Sequence, residues 1–213
     1  MSKASERKIR SEHILKKYCV PVNHNLPVIE GEGDINLRST QEVARRAVVL
    51  FSIASRAMGE RAQDILDFLK REQLWDNATE KEKGFLLNEM ASDQELRNYS
   101  WRFESVWVLL WALGQVDELE YPSRICDVEK IIKIFSNTSI KGFIASARLR
   151  ASPEILDEVD LIYRYHWAVI ESQLQHIELS SGLDSGVVYE RHYSLNWLVN
   201  YMDQEWDDIT TDT

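Results

Sequence analysis

The sequence contains few of the residues that favour turns. Its 213 residues include only eight glycines and four prolines, well below the roughly 7% and 5% that are usual. A fold with many tight turns needs more of both, so the composition favours helices joined by few connections. The length suits one substantial core and is short for two, and no linker interrupts the chain. We therefore expect one domain that spans residues 1–213.

The sequence also lacks the common patterns of metal and disulfide sites. Cys19 and Cys126 are the only cysteines, and they are too few and too far apart for a CxxC motif or a disulfide framework. Metal sites in helical bundles often use Glu-x-x-His pairs, but no histidine in this sequence follows an acidic residue at that spacing. We expect reduced, structural thiols, no bound metal and no cofactor.

Long apolar runs and an excess of positive charge are missing as well. The longest apolar run, Val106 to Leu113, is far shorter than the roughly 18 residues that span a bilayer. The N-terminal segment has no apolar stretch of the kind found in signal peptides. The net charge is −10, whereas nucleic-acid affinity comes mainly from Lys and Arg. We expect a cytoplasmic protein that binds neither membranes nor nucleic acids.

Helix-start signals occur along much of the sequence. Three segments match the capping box, in which a Ser or Thr and a Glu three residues later satisfy each other's backbone donors: Ser39 to Glu42, Thr79 to Glu82 and Ser92 to Glu95. Ser152-Pro153-Glu154 should begin another helix, with Ser152 as its cap, that runs to about Leu179. These signals predict an all-α, single-domain bundle of roughly eight helices, with one long loop at about residues 20–38.

One predicted helix is apolar enough to be central. It covers residues 93–113, ends in the apolar run and has Gly114 as its C-terminal cap. Since this run has no polar face, the helix should be covered on nearly all sides. We expect the helices at residues 153–179 and 187–202 to contact it.

Polar residues lie beside aromatic residues in the second half of the chain. A buried histidine can be a hydrogen-bonded core residue or an acid/base group tuned by its surroundings, and an arginine can be ion-paired or part of an anion-binding cleft. We leave both alternatives open for the candidate polar cluster, which comprises Arg102, Glu104, Arg148, Asp160, Arg164, His166, Glu190, Arg191, His192 and Asn196.

The acidic C-terminal tail, residues 203–213, contains two large apolar residues. Trp206 and Ile209 offer apolar surface that can be buried against the body of the protein. Asp207 and Asp208 stand beside Trp206 and should pair with cations. We expect the tail to dock, with its acids near Arg102, Arg148, Arg191 or the basic N-terminal residues.

Several blocks of the sequence resemble the DUF4272 family of bacterial proteins of unknown function. They cover nearly the whole chain and include residues 43–47, Trp101-Arg102-Phe103-Glu104, residues 110–114, Asp160 to Arg164, His166-Trp167, Glu190-Arg191-His192, Leu195-Asn196-Trp197 and residues 206–213. In a member of this family we expect a glycine where Cys19 or its neighbour stands, so the resemblance leaves the geometry of the first loop open. The resemblance implies a single-domain bacterial architecture and supplies no catalytic residues.

Two classes of function remain open. The chain has no P-loop, G-x-G-x-x-G, G-x-S-x-G or H-E-x-x-H motif, which favours a protein that binds a protein partner or a small anionic ligand. The alternative is an enzyme of unknown class that uses the polar cluster on an anionic small-molecule substrate. Convergence of Arg102, His166, Glu190 and His192 on one concave pocket would favour a ligand site over packing alone.

Overall fold

The computed structural model describes residues 2–213, and this part of the chain is helical without β-strands. The prediction of an all-α fold is confirmed. The described residues form ten α-helices rather than roughly eight: α1 Lys3–Lys17, α2 Thr40–Ala57, α3 Ala62–Arg71, α4 Glu80–Leu87, α5 Asp93–Ser100, α6 Arg102–Ala112, α7 Val128–Ser136, α8 Ile140–Ser146, α9 Ser152–Leu174 and α10 Ser185–Leu198. Short 3₁₀ segments lie at Trp75–Asn77, Tyr201–Asp203 and Trp206–Asp208.

The local start signals are reproduced with one exception. All three predicted capping boxes form, at the N-termini of α2, α4 and α5. The predicted cap at Ser152 is wrong by one residue, because Ala151 is the N-cap and Ser152 already belongs to α9. Pro153 lies in the first turn, where its missing N–H costs no hydrogen bond.

The predicted helix over residues 93–113 is interrupted at Trp101. Helices α5 and α6 meet there, and the N–H of Glu104 donates to the Trp101 carbonyl at 2.9 Å, three residues back. The central position of the apolar segment is confirmed, since Phe103 through Ala112 are all buried. Gly114 follows the last turn of α6 with φ +70°, and the N–H of Gln115 donates to the Leu110 carbonyl at 2.9 Å.

Three helices form the centre of the fold. Helix α6 packs most extensively against α2 and α10, whereas α9 packs mainly against α10 and α1. The predicted packing of α10 on the central helix is confirmed, whereas α9 packs little on α6. The contact with α2 was not expected; the buried face of α2 includes Val43, Ala44, Ala47 and Leu50.

The C-terminal segment lies against α10. Trp206 is 3% exposed, and its ring centroid is 5.1 Å from that of Tyr193 and 5.4 Å from that of Trp197. The Asn196 side-chain amide donates to the Thr210 carbonyl at 2.8 Å. The ion pairs differ from those expected for the tail, because Arg38 pairs with Glu205 at 3.1 Å. Lys81 contacts the tail by donating to the backbone carbonyl of Asp207 at 3.0 Å.

None of the helices in residues 2–213 is both long enough and apolar enough to cross a membrane.

Candidate functional site

Three members of the candidate polar cluster, each from a different helix, line one cleft. Arg102 begins α6, His166 lies in the middle of α9, and Glu190 lies in the middle of α10. The cleft has a volume of about 480 Å³. Its remaining lining residues are Asn98, Trp101, Val169, Ile170, Gln173, Ser185, Gly186 and Tyr189. The sequence spacing explains the lining, because residues three or four positions apart share a helix face, as His166 does with Val169, Ile170 and Gln173.

Arg102 and Glu190 form an ion pair at the inner side of the cleft. The Arg102 Nη1 donates to Glu190 Oε2 at 2.9 Å, and the Ser105 hydroxyl donates to the same oxygen at 2.9 Å. The guanidinium carbon also lies 5.1 Å from the ring centre of Tyr193 and 5.7 Å from that of Trp206. Within residues 2–213, the Nε and Nη2 donors of Arg102 have no hydrogen-bond acceptor. Arg102 is therefore held in place while two of its N–H-bearing nitrogens remain available.

His166 forms a hydrogen-bonded pair with His192 behind the cleft wall. Their Nδ1 atoms are 2.8 Å apart, and both side chains are buried. One ring must carry its proton on Nδ1 and the other on Nε2, because a neutral imidazole has a single N–H. Burial lowers the pKa of His166 to about 4. Burial, together with the neighbouring His166, lowers the pKa of His192 to about 3.

Trp101 and Gly186 pack tightly at the point where α5 and α6 meet the first turn of α10. A Cβ atom at position 186 would lie 2.5 Å from Cη2 of the Trp101 ring. Such a distance is shorter than any stable contact, so only glycine lets the indole rest against the helix backbone. Asp184 caps the same helix end, since its side chain accepts from the N–H groups of Gly186 and Val187. This contact shapes one wall of the cleft.

Four members of the candidate cluster are engaged elsewhere. Arg191 donates to Glu104 at 3.4 Å and to the Glu120 carbonyl at 2.6 Å, and Glu104 also accepts from the backbone N–H of Cys126. Burial raises the pKa of Glu104, and Arg191 opposes that shift. Asp160 and Arg164 form a two-pronged pair at 2.7 and 2.8 Å inside α9.

Two further candidates also lie outside the cleft. Asn196 holds the tail through the Thr210 carbonyl. Within residues 2–213, the side chain of Arg148 makes its only hydrogen bond to the carbonyl of Ala147, at 3.5 Å. His192 lies behind the wall rather than in the lining. The structure thus brings Arg102, His166 and Glu190 together, with His192 in direct contact, and assigns the other six residues to packing or to separate surfaces.

Several lining residues were not singled out from the sequence. Asn98, Trp101, Ser185, Gly186 and Tyr189 reach the cleft. Of these, Trp101 belongs to a recognised block and Tyr189 directly precedes one, whereas the other three lie outside the blocks. The helix phase of α10 was the available signal, because Gly186, Tyr189 and Glu190 are spaced for one face. Their convergence with α5 depends on packing between helices that are distant in sequence.

No metal-binding arrangement accompanies the cleft. Across residues 2–213, no group of three or more His, Cys, Asp and Glu side chains is placed to hold an ion. The chemistry available in the cleft is hydrogen bonding from Arg102, a neutral imidazole, a carboxylate that is already engaged, and the rings of Trp101 and Tyr189.

The comparison with family models gives a match over nearly the whole chain. The matching model is described as a domain of unknown function (DUF4272), and it covers residues 7–209. That range includes every residue that lines the cleft. No curated protein and no solved structure matches the chain. The family model confirms the resemblance seen in the sequence, and the chain belongs to the DUF4272 family.

Proposed function

We propose that the protein binds a small polar ligand in the cleft between Arg102, His166 and Glu190 and does not transform it. The observation that carries this proposal is the convergence of these residues from three helices on one concave surface, with Nε and Nη2 of Arg102 free of protein acceptors in residues 2–213. Side chains that serve only packing usually have their polar atoms paired. A concave site with a few convergent polar groups is the usual form of a small-molecule site.

The ligand should present an anionic or carbonyl oxygen to Arg102. A guanidinium suits carboxylate and phosphate because its planar donors can make two parallel hydrogen bonds. The first turn of α10, with Ser185 and Gly186, also lines the cleft, and the N-terminal end of a helix attracts negative charge. The rings of Trp101 and Tyr189 can cover an apolar part of the ligand.

Binding is a better account of this cleft than acid/base catalysis. A catalytic acid or base works best when its pKa is near the working pH. With a pKa of about 4, roughly one His166 in a thousand is protonated at pH 7. Glu190 already accepts two hydrogen bonds. These groups can orient a ligand, but they transfer protons poorly at neutral pH.

The enzyme alternative has one observation in its favour. The Nε2 atom of His166 has no hydrogen-bond partner in the described part of the chain, and the residue lines the cleft. A substrate group could therefore reach the ring, and the second imidazole behind it could accept or return a proton. In this alternative the substrate is an anionic small molecule held by Arg102.

A thermal-shift screen of small carboxylates, phosphates and amides would test the proposal, since a ligand that binds only the folded state raises its stability by about 2.7 kcal/mol at 100 times its Kd. Hits should lose affinity in Tyr189→Ala and His166→Gln and keep it in Tyr163→Ala, a matched change on α9 outside the cleft. Recovery of the hit unchanged supports binding, whereas a new product supports the enzyme alternative. Equal affinity for all three variants would place the ligand elsewhere.

We extend the proposal to the cellular compartment and to the kind of partner. We place the protein in the cytoplasm because both cysteines are free thiols, as expected in a reducing compartment. The net charge of −10 argues against a nucleic-acid partner.

A further inference from the structure

A second cavity lies away from the cleft, between α1, α9, α10 and the loop that follows α6. Its volume is about 310 Å³. Apolar side chains form much of its wall, namely Ile14, Leu119, Pro122, Leu161, Ile162 and Leu195. The polar and aromatic residues in the lining are Tyr18, Glu118, Glu120, Tyr121, Glu158, Tyr165 and Arg191. Arg191 is the one member of the candidate polar cluster in this lining as described, and the proposed function does not account for the cavity.

Three tyrosine rings line this cavity. Tyr18 and Tyr121 are stacked with centroids 4.2 Å apart, and Tyr165 meets Tyr121 edge to face at 5.7 Å. The Tyr121 hydroxyl donates to the Ser181 carbonyl at 3.0 Å, which holds its ring in place. Lys17 already places its Nζ 5.3 Å from the centre of the Tyr18 ring. Tyrosine faces attract cations through the negative charge above the ring.

Two polar groups in the lining have no protein partner in the described part of the chain. The Glu158 carboxylate makes neither a hydrogen bond nor an ion pair within residues 2–213, although it lines the cavity. Tyr165 is only 3% exposed, and its hydroxyl likewise has no partner in that range. A hydroxyl on a side chain as buried as Tyr165 is normally paired, whereas Glu158 is partly exposed. Their open hydrogen-bonding capacity points to a ligand.

The charges favour a positive ligand. Three carboxylates line the cavity, at Glu118, Glu120 and Glu158, against one guanidinium, at Arg191. Arg191 is already neutralised by Glu104 and held by the Glu120 carbonyl. Glu120 pairs with Arg124 at 2.8 Å and Glu118 is exposed. Glu158 is therefore the partly buried carboxylate of the lining that has no ion pair in the described residues.

We propose that this cavity binds a small organic ammonium ion, with Glu158 as its counter-ion, the tyrosine rings around its alkyl groups and the Tyr165 hydroxyl as a hydrogen-bond partner. Carboxylates and aromatic faces together form the usual recognition site for such cations. The apolar wall suits the body of the ligand, and the volume suits a compact molecule.

Calorimetric titration with choline and with its uncharged isostere, 3,3-dimethylbutan-1-ol, tests this proposal. Because the two probes differ chiefly in charge, choline should bind about tenfold or more tightly. Glu158→Gln should abolish that preference, and Tyr165→Phe should weaken choline binding. Glu154→Gln is the matched control, since Glu154 is one turn away on α9 and is absent from the lining. Melting curves of each variant check that it is folded.

The dependence of choline affinity on pH is a second test. Burial raises the pKa of Glu158 to about 7, so its ionised fraction rises from about one tenth at pH 6 to about nine tenths at pH 8. Choline affinity should rise about tenfold over that interval in the native protein and stay flat in Glu158→Gln. The titratable and charged groups around Glu158 are Lys17, Tyr18, Glu118, Glu120, Tyr121, Arg150, Asp157, Tyr165 and Arg191.

Three results would overturn the proposal. They are equal affinity for choline and its isostere, undiminished choline binding by folded Glu158→Gln, and an absence of choline binding to the native protein. Because the Arg102 cleft is a separate surface, each result leaves the proposed function to be decided by its own screen.

Discussion

At the scale of single residues, the backbone conformation at Cys19 is unfavourable for its side chain. Cys19 has a φ of 57° directly after α1. Its N–H donates to the Lys16 carbonyl at 3.1 Å, and the N–H of Val20 donates to the Leu15 carbonyl at 2.9 Å. This is the Schellman arrangement, whose left-handed position glycine normally fills. The geometry explains why the family resemblance leads one to expect glycine at this position.

Replacing Cys19 by glycine should stabilise the protein. A side chain in the left-handed region costs about 1–2 kcal/mol, and the greater freedom of glycine in the unfolded chain offsets part of that gain. We expect Cys19→Gly to raise the free energy of unfolding by about 0.5–1 kcal/mol, measured by urea denaturation. Cys19→Ser is the control, since it keeps a side chain at this exposed position and should change little. A less stable glycine variant would contradict this account.

The pair formed by His166 and His192 should make the protein sensitive to acid. The pKa values of both histidines are lowered in the folded state, so the unfolded chain takes up protons first as the pH falls. The stability contributed by the neutral pair is therefore present above pH 6.5 and is lost as the pH falls towards 4 and 3. His166→Ala leaves His192 without its partner, at a cost of about 1–3 kcal/mol.

Denaturation at several pH values measures this effect. Between pH 6.5 and 4 the native free energy of unfolding should fall more steeply than that of the His166→Leu/His192→Leu double variant, which has no titrating group at the pair. His13→Ala, on the exposed face of α1, should match the native protein. If His166→Ala kept full stability but lost a ligand found by screening, the pair would serve binding rather than packing.

At the scale of helices, the junction of α5 and α6 depends on a residue from α10. Trp101 lies at that junction and rests on Gly186. Gly84, by contrast, lies within α4, and a Cβ atom added there would have no atom within 4 Å beyond its chain neighbours and the backbone of its own helix. The space for an added methyl group is therefore occupied by the Trp101 ring at Gly186 and open at Gly84.

Alanine substitutions should therefore act in opposite directions at these two positions. Gly186→Ala forces the Trp101 ring to move and should destabilise by about 1–3 kcal/mol. Gly84→Ala removes a flexible residue from a helix and should stabilise by up to about 1 kcal/mol. Thermal melting of both variants measures these two effects. Equal shifts in melting temperature would show that the Trp101 contact contributes little to stability.

At the scale of the whole molecule, the C-terminal segment connects parts of the chain that are far apart in sequence. The Trp206 ring lies 4.6 Å from the Arg46 guanidinium of α2 and also packs on Tyr193 of α10. Arg38 donates to the Gln204 carbonyl at 2.7 Å. The segment thus bridges α2 and α10, which both pack on α6.

Truncation should show how much this segment contributes. Deleting residues 205–213 uncovers the Tyr193 and Trp197 rings, so the melting temperature should fall markedly; Trp206→Ala alone should cost about 3–5 kcal/mol. Asp207→Asn should stay within about 0.5 kcal/mol of the native protein, because the contact of Asp207 with Lys81 uses its backbone carbonyl. A fully stable truncated protein would contradict this expectation.

The elements were largely predictable because their signals are local. A capping box acts over three residues, and the Ser39, Thr79 and Ser92 boxes all form. An apolar run such as Val106 to Leu113 is unfavourable in water unless it is buried. The composition of this segment therefore predicted the central position of α6. The polar and aromatic residues of the candidate site were also visible as types, since Arg102, His166 and Glu190 lay in recognisable blocks.

Tertiary packing decided which of those residues meet. Arg102 and Glu190 are 88 positions apart, and Arg46 and Glu82 are 36 apart. Their pairing depends on the angle and register at which α2, α4, α6 and α10 pack, and these follow from the shapes of many side chains at once. The break at Trp101 and the unpaired Glu158 in the second cavity have the same origin. Helix signals act through neighbouring backbone groups, whereas a site forms only when distant surfaces are held together.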